Sequence, residues 1–397
     1  MKAIILVTGS EFTQGRKSDK NGNYIAKRLF ERGADVEGII IAPDNYYLLV
    51  NYIKYSLDKA DLVVVSGGLG PTSDDFTRSA IADAIGVPLI YEEACLSMLK
   101  KYYISSGVEF TPERKSMCKI PYGAVKIDNP VGRAIGFLKS LDDVGKVIVA
   151  LPGVPTEMKP MLDDVLGRLM LHKKVRLVKL FRTFGMKELD INYILEDIKG
   201  LYYSVSPKGV DIFLSDVDEN SFYNKIALII ERLGNYVYTE GDREMEEVVG
   251  EILRMRGLTV STAESSTGGL AISRLINVPG SSEYVKGSVV SYSNSVKVET
   301  LKVNPELIEK FGAVSENVAK QMAVGVRNLL RSDIALSDTG IVGPTGWTSE
   351  KPLGLHYIAY ADSIGVEVFK EIYTGERNDV RLYISQYMLN LIRLKLQ

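Results

Sequence analysis

At 397 residues the chain is too long for one ordinary domain and should divide into two or three units, each able to bury its own core. Its 46% hydrophobic and 25% charged residues form a globular balance, which excludes a disordered chain and implies no membrane role. The formal charge of −2, from 48 Lys and Arg against 50 Asp and Glu, gives no global attraction to nucleic acid and favours small-molecule partners.

Short β-branched runs at 3–7, 36–41 and 62–65 alternate with helical patterns at 23–32 and 46–59, the rhythm of a parallel α/β sheet. A further strand at 147–151 leads through a Pro-Gly-Val-Pro turn into a helix at 157–170, whose methionines sit at core spacing, and a first domain of residues 1–170 ends there. Across 171–242 strand-like runs at 210–214 and 225–230 surround a helical stretch at 189–198, which reads as a small α+β connecting domain. A charged helix at 244–256 opens a second α/β series in residues 243–397, with strands at 258–262, 287–292, 334–337, 354–360 and 366–373. The fold class is therefore α/β: two three-layer α/β/α domains with mostly parallel sheets, joined by the small α+β domain.

Only Cys95 and Cys118 occur, which makes no disulfide framework, and the apolar run near the start is too short for a signal peptide. A cytoplasmic location follows. His172 and His356 lack Cys or acidic neighbours at ligand spacing, so no structural zinc is expected and any metal should sit on oxygen ligands.

The most informative stretch is Ala-Glu-Ser-Ser-Thr-Gly-Gly at 263–269, between a strand and a helix. Hydroxyls and free amides at such a turn can hold a nucleophile, an oxyanion or a phosphate, or the hydroxyls of Ser265, Ser266 and Thr267 can simply cap the helix. A second strand ends at Tyr292, Ser293 and Asn294, with Lys297 in the first turn of the next helix, where the helix dipole and burial both favour the neutral amine. Ser265 and Lys297 on neighbouring turns suit a serine nucleophile and its lysine base, and the alternative for Lys297 is an ordinary solvated lysine. A Gly-rich turn at 339–346 includes Thr339, Gly340 and Gly343, and the 374–377 turn offers Arg377 to a phosphate or to solvent. All four loops should meet at the carboxyl edge of one sheet.

Together with Val-Pro-Gly-Ser-Ser-Glu-Tyr at 278–284, Gly-Ala-Val-Ser-Glu-Asn-Val-Ala at 312–319 and Lys-Pro-Leu-Gly at 351–354, these segments resemble the C-terminal domain of the CinA family. The resemblance implies hydrolysis of nicotinamide mononucleotide to nicotinate mononucleotide and ammonia without a cofactor. It places the family serine on Ser265, the lysine on Lys297, the tyrosine on Tyr292 and the threonine-glycine loop on Thr339 and Gly340, with Thr267, Gly268, Gly269, Asn294, Gly343 and Arg377 around the substrate. Ser266 stands where the family usually has cysteine, and Trp347 where it usually has glycine.

In the first domain, Gly67, Gly68 and Gly70 precede Thr72, Asp74 and Asp75 in a strand-to-helix turn. Glycines let a phosphate approach, and paired carboxylates can hold a hard cation against it or serve only as helix caps. No P-loop lysine is present, so nucleoside triphosphate hydrolysis is not indicated. With Thr-Gly-Ser-Glu at 8–11 and Leu-Pro-Gly-Val-Pro-Thr-Glu-Met at 151–158, this region resembles the CinA N-terminal domain, related to molybdopterin-binding folds. That resemblance implies an ADP-ribose pyrophosphatase using Mg, Mn or Co with K⁺. It puts Glu11, Asp44, Asp74 and Asp75 at the metal and Gly67, Gly68, Gly70, Thr72, Asn129 and Gly132 at the substrate, with Asp19 and Asn21 among the matching polar positions. Ser10 replaces a usual acidic or amide residue. A homodimer is expected, and the competing reading is a molybdopterin binder or a competence and DNA-damage accessory without catalysis.

Overall fold

The computed structural model describes residues 1–169 and 176–397 and divides into two compact units, Met1–Leu177 and Val178–Gln397. The boundary expected at 170/171 and His172 lie outside the described residues.

In the first unit a six-stranded sheet runs in the order Asp35–Ala42, Lys2–Thr8, Leu62–Ser66, Lys146–Leu151, Gly136–Leu141, Val125–Ile127. The first four strands are parallel and the last two pair antiparallel. Alternation along the strands splits the core between two faces. Ile5, Val7, Val64 and Val149 pack with the helices Asn21–Glu31 and Pro155–Arg168, while Leu6, Val63, Val65 and Ile148 pack with Tyr46–Lys59 and Thr77–Ala84. Burial on both faces explains why Leu62–Ser66 is apolar almost throughout.

The second unit contains a four-stranded sheet, ordered Leu201–Ser206, Gly209–Asp216, Leu177–Thr183, Val237–Glu240, and a five-stranded sheet, ordered Val285–Val290, Val260–Glu264, Ile334–Gly340, Leu355–Ala361, Val366–Ile372. The first three strands of the larger sheet are parallel and the last two antiparallel. One face carries the helix Glu316–Leu330 over Ala263, Ala335 and Ala359, and the other carries Met245–Arg256 and Arg377–Leu396 over Leu336, Ile358 and Tyr360. Phe184, from the α+β stretch, joins this second core with its ring centroid 5.3 Å from Tyr383. Arg182 adds an ion pair of 2.6 Å to Glu244 at the start of Met245–Arg256.

Two expectations are corrected. Residues 225–230 form no strand but the middle of the helix Glu219–Leu233: Asp218 caps it through the Ser221 amide at 2.7 Å, and Phe222, Ile229 and Leu233 fall on one buried face, so helical packing overrides the local β propensity of Ile229 and Ile230. Cys95 and Cys118 make no framework, yet they are bonded to each other within the core of the first unit, Cα atoms 5.4 Å apart. Among the described residues no helix is long and apolar enough to cross a membrane.

Candidate active site and nucleotide cleft

The strand Val260–Glu264 is buried along its whole length and delivers the 265–269 turn to the carboxyl edge of the parallel strands. Gly268 and Gly269 take positive φ values of 62° and 92° there, a backbone that other residues adopt only with strain. The helix Asn294–Glu299 follows the neighbouring strand, capped by Ser293 through the Val296 amide. These two turns bring Lys297 Nζ to 3.1 Å from Ser265 Oγ, as the spacing predicts. Lys297 is 1% exposed and Ser265 9%, so the solvated-lysine reading does not hold. Burial holds the Lys297 ammonium below its ordinary range, against a smaller upward pull from the Asp338 charge.

Two carbonyls orient the amine: Lys297 Nζ donates to Ser291 O at 2.5 Å and to Tyr292 O at 3.4 Å. With two positions of the nitrogen engaged by these carbonyls, the third faces Ser265 Oγ, to which the ammonium donates and from which the neutral amine would accept. Tyr292 thus reaches the site through its backbone, while its ring is 69% exposed. Asn294 is exposed at the first position of its helix.

The turn is held by two carboxylates that the sequence reading missed. Asp338 accepts from the amides of Ser265, Ser266 and Thr267 at 3.1, 2.8 and 3.3 Å and from the hydroxyls of Ser266 and Thr267. Glu264 accepts from the Ala271 and Ile272 amides and from Thr262 Oγ1. Ser266 and Thr267 therefore bind the protein's own carboxylates rather than cap the helix, and the amides of 265–267 are not free for an oxyanion. Gly268 and Gly269 are the turn residues whose amides meet no acceptor among the described residues. Arg381 braces the turn by donating to Thr267 O at 2.9 Å from Nη2. The signal for Asp338 was in the sequence, as a carboxylate two residues after the apolar Ile334-Ala335-Leu336 start of the strand Ile334–Gly340.

The third and fourth loops are braced by contacts within the protein. Thr339 is buried and spends its hydroxyl on Ala313 O at 2.9 Å. Gly340 is required by its neighbour, since a Cβ there would come within 1.9 Å of the His356 ring. That imidazole donates from Nδ1 to Gly354 O, leaving a buried Nε2 with no partner among the described residues, and burial keeps it neutral. Arg377 closes the Gly-rich turn by donating to Gly343 O at 2.7 Å.

In the first unit a cleft of about 820 Å³ lies along the carboxyl ends of the parallel strands, lined by Glu11, Asp44, Asp74 and Asp75 with Gly67, Gly68 and Gly70. Gly67 and Gly68 have φ of 111° and 64°, and a Cβ on them would strike Thr8 and Thr77. Asp74 and Asp75 do not cap the helix Thr77–Ala84: Thr72 Oγ1 lies 2.5 Å from an Asp74 oxygen and 2.6 Å from an Asp75 oxygen and gives its one hydrogen to one of them at a time, which closes the turn on itself. That hydrogen bond lowers the Asp74 pKa. Asp44 accepts from the Ser10 amide at 2.7 Å while Ser10 Oγ accepts from the Asp44 amide, so the hydroxyl at position 10 spares the site a second carboxylate.

Asp19 holds the amides of Asn21 and Gly22, and Asn21 Nδ2 bridges Ser66 and Gly153. Asn129 donates to Glu157 at 2.7 Å and accepts from the Gly132 amide, and a Cβ on Gly132 would meet that Glu157 carboxylate, a residue missed from sequence. Among the described residues no three of His, Cys, Asp or Glu gather as metal ligands, so the four carboxylates make no ready metal shell by themselves.

Fold and sites together define a two-module α/β protein, with a glycine-turn cleft in one module and a buried serine-lysine pair in the other. Residues 242–396 match the CinA C-terminal domain and residues 4–172 the probable molybdopterin binding domain. A CinA-like protein of Sulfurihydrogenibium sp. is 64% identical across 100% of this chain and 99% of its own length. A putative competence-damage inducible protein of Acetivibrio thermocellus is 37% identical, covering 96% and 95%. A solved structure, the CinA protein of unknown function from Thermoplasma acidophilum, is 36% identical over 42% of this chain and 96% of that one, with a TM-score of 0.40. The chain belongs to the CinA family.

Proposed function

We propose that the second unit hydrolyses the carboxamide of nicotinamide mononucleotide to nicotinate mononucleotide and ammonia. The observation that carries the reading is the 3.1 Å approach of Ser265 Oγ to a buried lysine whose ammonium form burial disfavours and whose other contacts are two carbonyls. Lys297 Nζ takes the Ser265 proton as Oγ attacks the carboxamide carbon. The amides of Gly268 and Gly269 meet the developing oxyanion. The lysine ammonium returns its proton to the leaving nitrogen, which departs as ammonia and leaves an acyl-serine. Water, deprotonated by the same amine, then releases the carboxylate. Ammonia and nicotinate mononucleotide should form from nicotinamide mononucleotide whether or not a chelator is present, and absence of both products overturns the assignment.

The cleft of the first unit favours a second reading, cleavage of ADP-ribose to AMP and ribose 5-phosphate. What supports it is the cleft of about 820 Å³ lined by Gly67, Gly68 and the four carboxylates, together with two buried polar atoms facing no protein partner among the described residues, Thr8 Oγ1 and Asn21 Oδ1. AMP formation with Mg, Mn or Co and K⁺ tests it, and Asp74→Asn with Asp75→Asn should abolish AMP while sparing ammonia release. No AMP from the wild-type protein removes this reading.

A further inference from the structure

The hydroxyl of Thr267 sits between two buried carboxyl groups, 2.5 Å from Asp338 Oδ1 and 2.8 Å from Glu264 Oε2. A hydroxyl has one hydrogen and can donate to only one of them. The other short oxygen-oxygen contact must be carried by a proton on a carboxyl, because two bare acceptors at that distance in a dry site repel. The donors decide which group keeps it. Asp338 is met by three backbone amides and by Ser266 Oγ besides Thr267. Glu264 is met by two amides and by Thr262, whose hydroxyl oxygen also lies 2.8 Å from Ser288 Oγ and has one hydrogen to share between the two.

We infer that the cluster holds one negative charge, on Asp338, that Glu264 keeps its proton and passes a hydrogen bond through Thr267, and that Asp338 is thereby the positioning residue of the nucleophile turn. Burial and the neighbouring Asp338 charge both push the Glu264 carboxyl up, in agreement with this assignment. Three consequences follow. The turn that carries Ser265 is fixed by its own backbone, since the amides of residues 265–267 all point at one carboxylate. Ser266 belongs to the same unit, because its hydroxyl gives Asp338 a contact that a thiol makes only weakly. The retained charge also favours the ammonium form of Lys297, so Asp338 sets how far the amine is poised as a base. Glu264 and His356, both neutral in this account, also face the turn, Arg381 donates to Thr267 O, and the neighbouring strands further carry Lys286, Tyr357 and Tyr360.

This inference rests on the serine-lysine reading only for its catalytic consequence, and the test separates the two. The Lys297 titration is followed by NMR in protein carrying 13C-labelled lysine, the signal being assigned from its loss in Lys297→Arg, alongside ammonia release against pH. Asp338→Asn should move the Lys297 midpoint and the acidic limb of kcat/KM to lower pH, and lower kcat by about 10- to 100-fold with little change in KM, as expected for a displaced nucleophile. Glu264→Gln, which replaces a neutral group by a neutral group, should leave the midpoint where it is. A midpoint unmoved by folded Asp338→Asn overturns the inference. So does one displaced to lower pH by Glu264→Gln, an arm that stands even if Asp338→Asn fails to fold. If the midpoints behave as stated and the wild-type protein releases no ammonia, the charge assignment stands and the amidase reading falls.

Discussion

Lys297→Met separates the cost of burying the amine from its use. Lysine's ordinary value is 10.5, and burial lowers it in the folded protein. Between the lowered folded value and 10.5 the unfolded chain binds the proton that the folded one has released. Wild-type stability should therefore rise with pH through that window, and below it the cost of a buried ammonium is present in full. Methionine has a similar stem and no titrating group, so the difference in stability between wild type and Lys297→Met isolates this one residue. Each pH unit of the window contributes about 1.4 kcal/mol to that difference, or roughly 3–6 °C in Tm for a unit of this size. Losing the two amine-carbonyl bonds adds an offset that does not vary with pH. Calorimetry of both proteins from pH 7 to 10 reads the slope directly, and common titrations elsewhere cancel. Ammonia release should fall by about 10⁴-fold in the same variant. Parallel Tm curves would mean that Lys297 titrates in the folded protein as it does in the unfolded one, and the argument for a poised base would fail.

Gly340→Ala should destabilise by about 1–3 kcal/mol because its Cβ overlaps the His356 ring, and Gly340→Ala with His356→Ala should be less destabilised than the two single costs combined. Ser266→Ala removes one of the donors to Asp338 and leaves the backbone ones, so a stability loss of about 1 kcal/mol should accompany turnover within about tenfold of wild type. A fragment beginning at Val178 should fold and keep amidase activity, measured by circular dichroism and ammonia release. One beginning at Arg243 loses Phe184 from the core as well as the Arg182 and Lys208 ties to Glu244, and should lose about 3–5 kcal/mol for the ring alone.

The sequence made the strands and the serine-lysine pair legible because both depend on short-range patterns. Continuous apolar runs such as Leu62–Ser66 mark parallel strands, and a polar turn after a strand marks the edge where ligands bind. What it hid was the long-range pairing of polar groups. Asp338 and the turn it clamps lie more than 70 positions apart, and nothing local in Ser265, Ser266 or Thr267 says that their amides are already spent. Shorter separations, 28 positions from Asn129 to Glu157 and 16 from Gly340 to His356, were enough to conceal those pairings too. The partners that Thr339 and Arg377 find in the carbonyls of Ala313 and Gly343, 26 and 34 positions away, were equally hidden. The misread helix at 225–230 has a related cause: Ile229 and Ile230 favour strands locally, and only the buried face of Glu219–Leu233 reveals the helical period.

The central claim is that Ser265 is the nucleophile and not a structural hydroxyl. Its most direct test is Ser265→Ala, with ammonia release from nicotinamide mononucleotide and Tm measured on the same preparation. The Ser265 amide bond to Asp338 survives the substitution, so Tm should change by no more than about 1–2 °C, whereas turnover should drop by about 10⁴-fold or more. Substantial ammonia release by the folded Ser265→Ala protein would contradict the account.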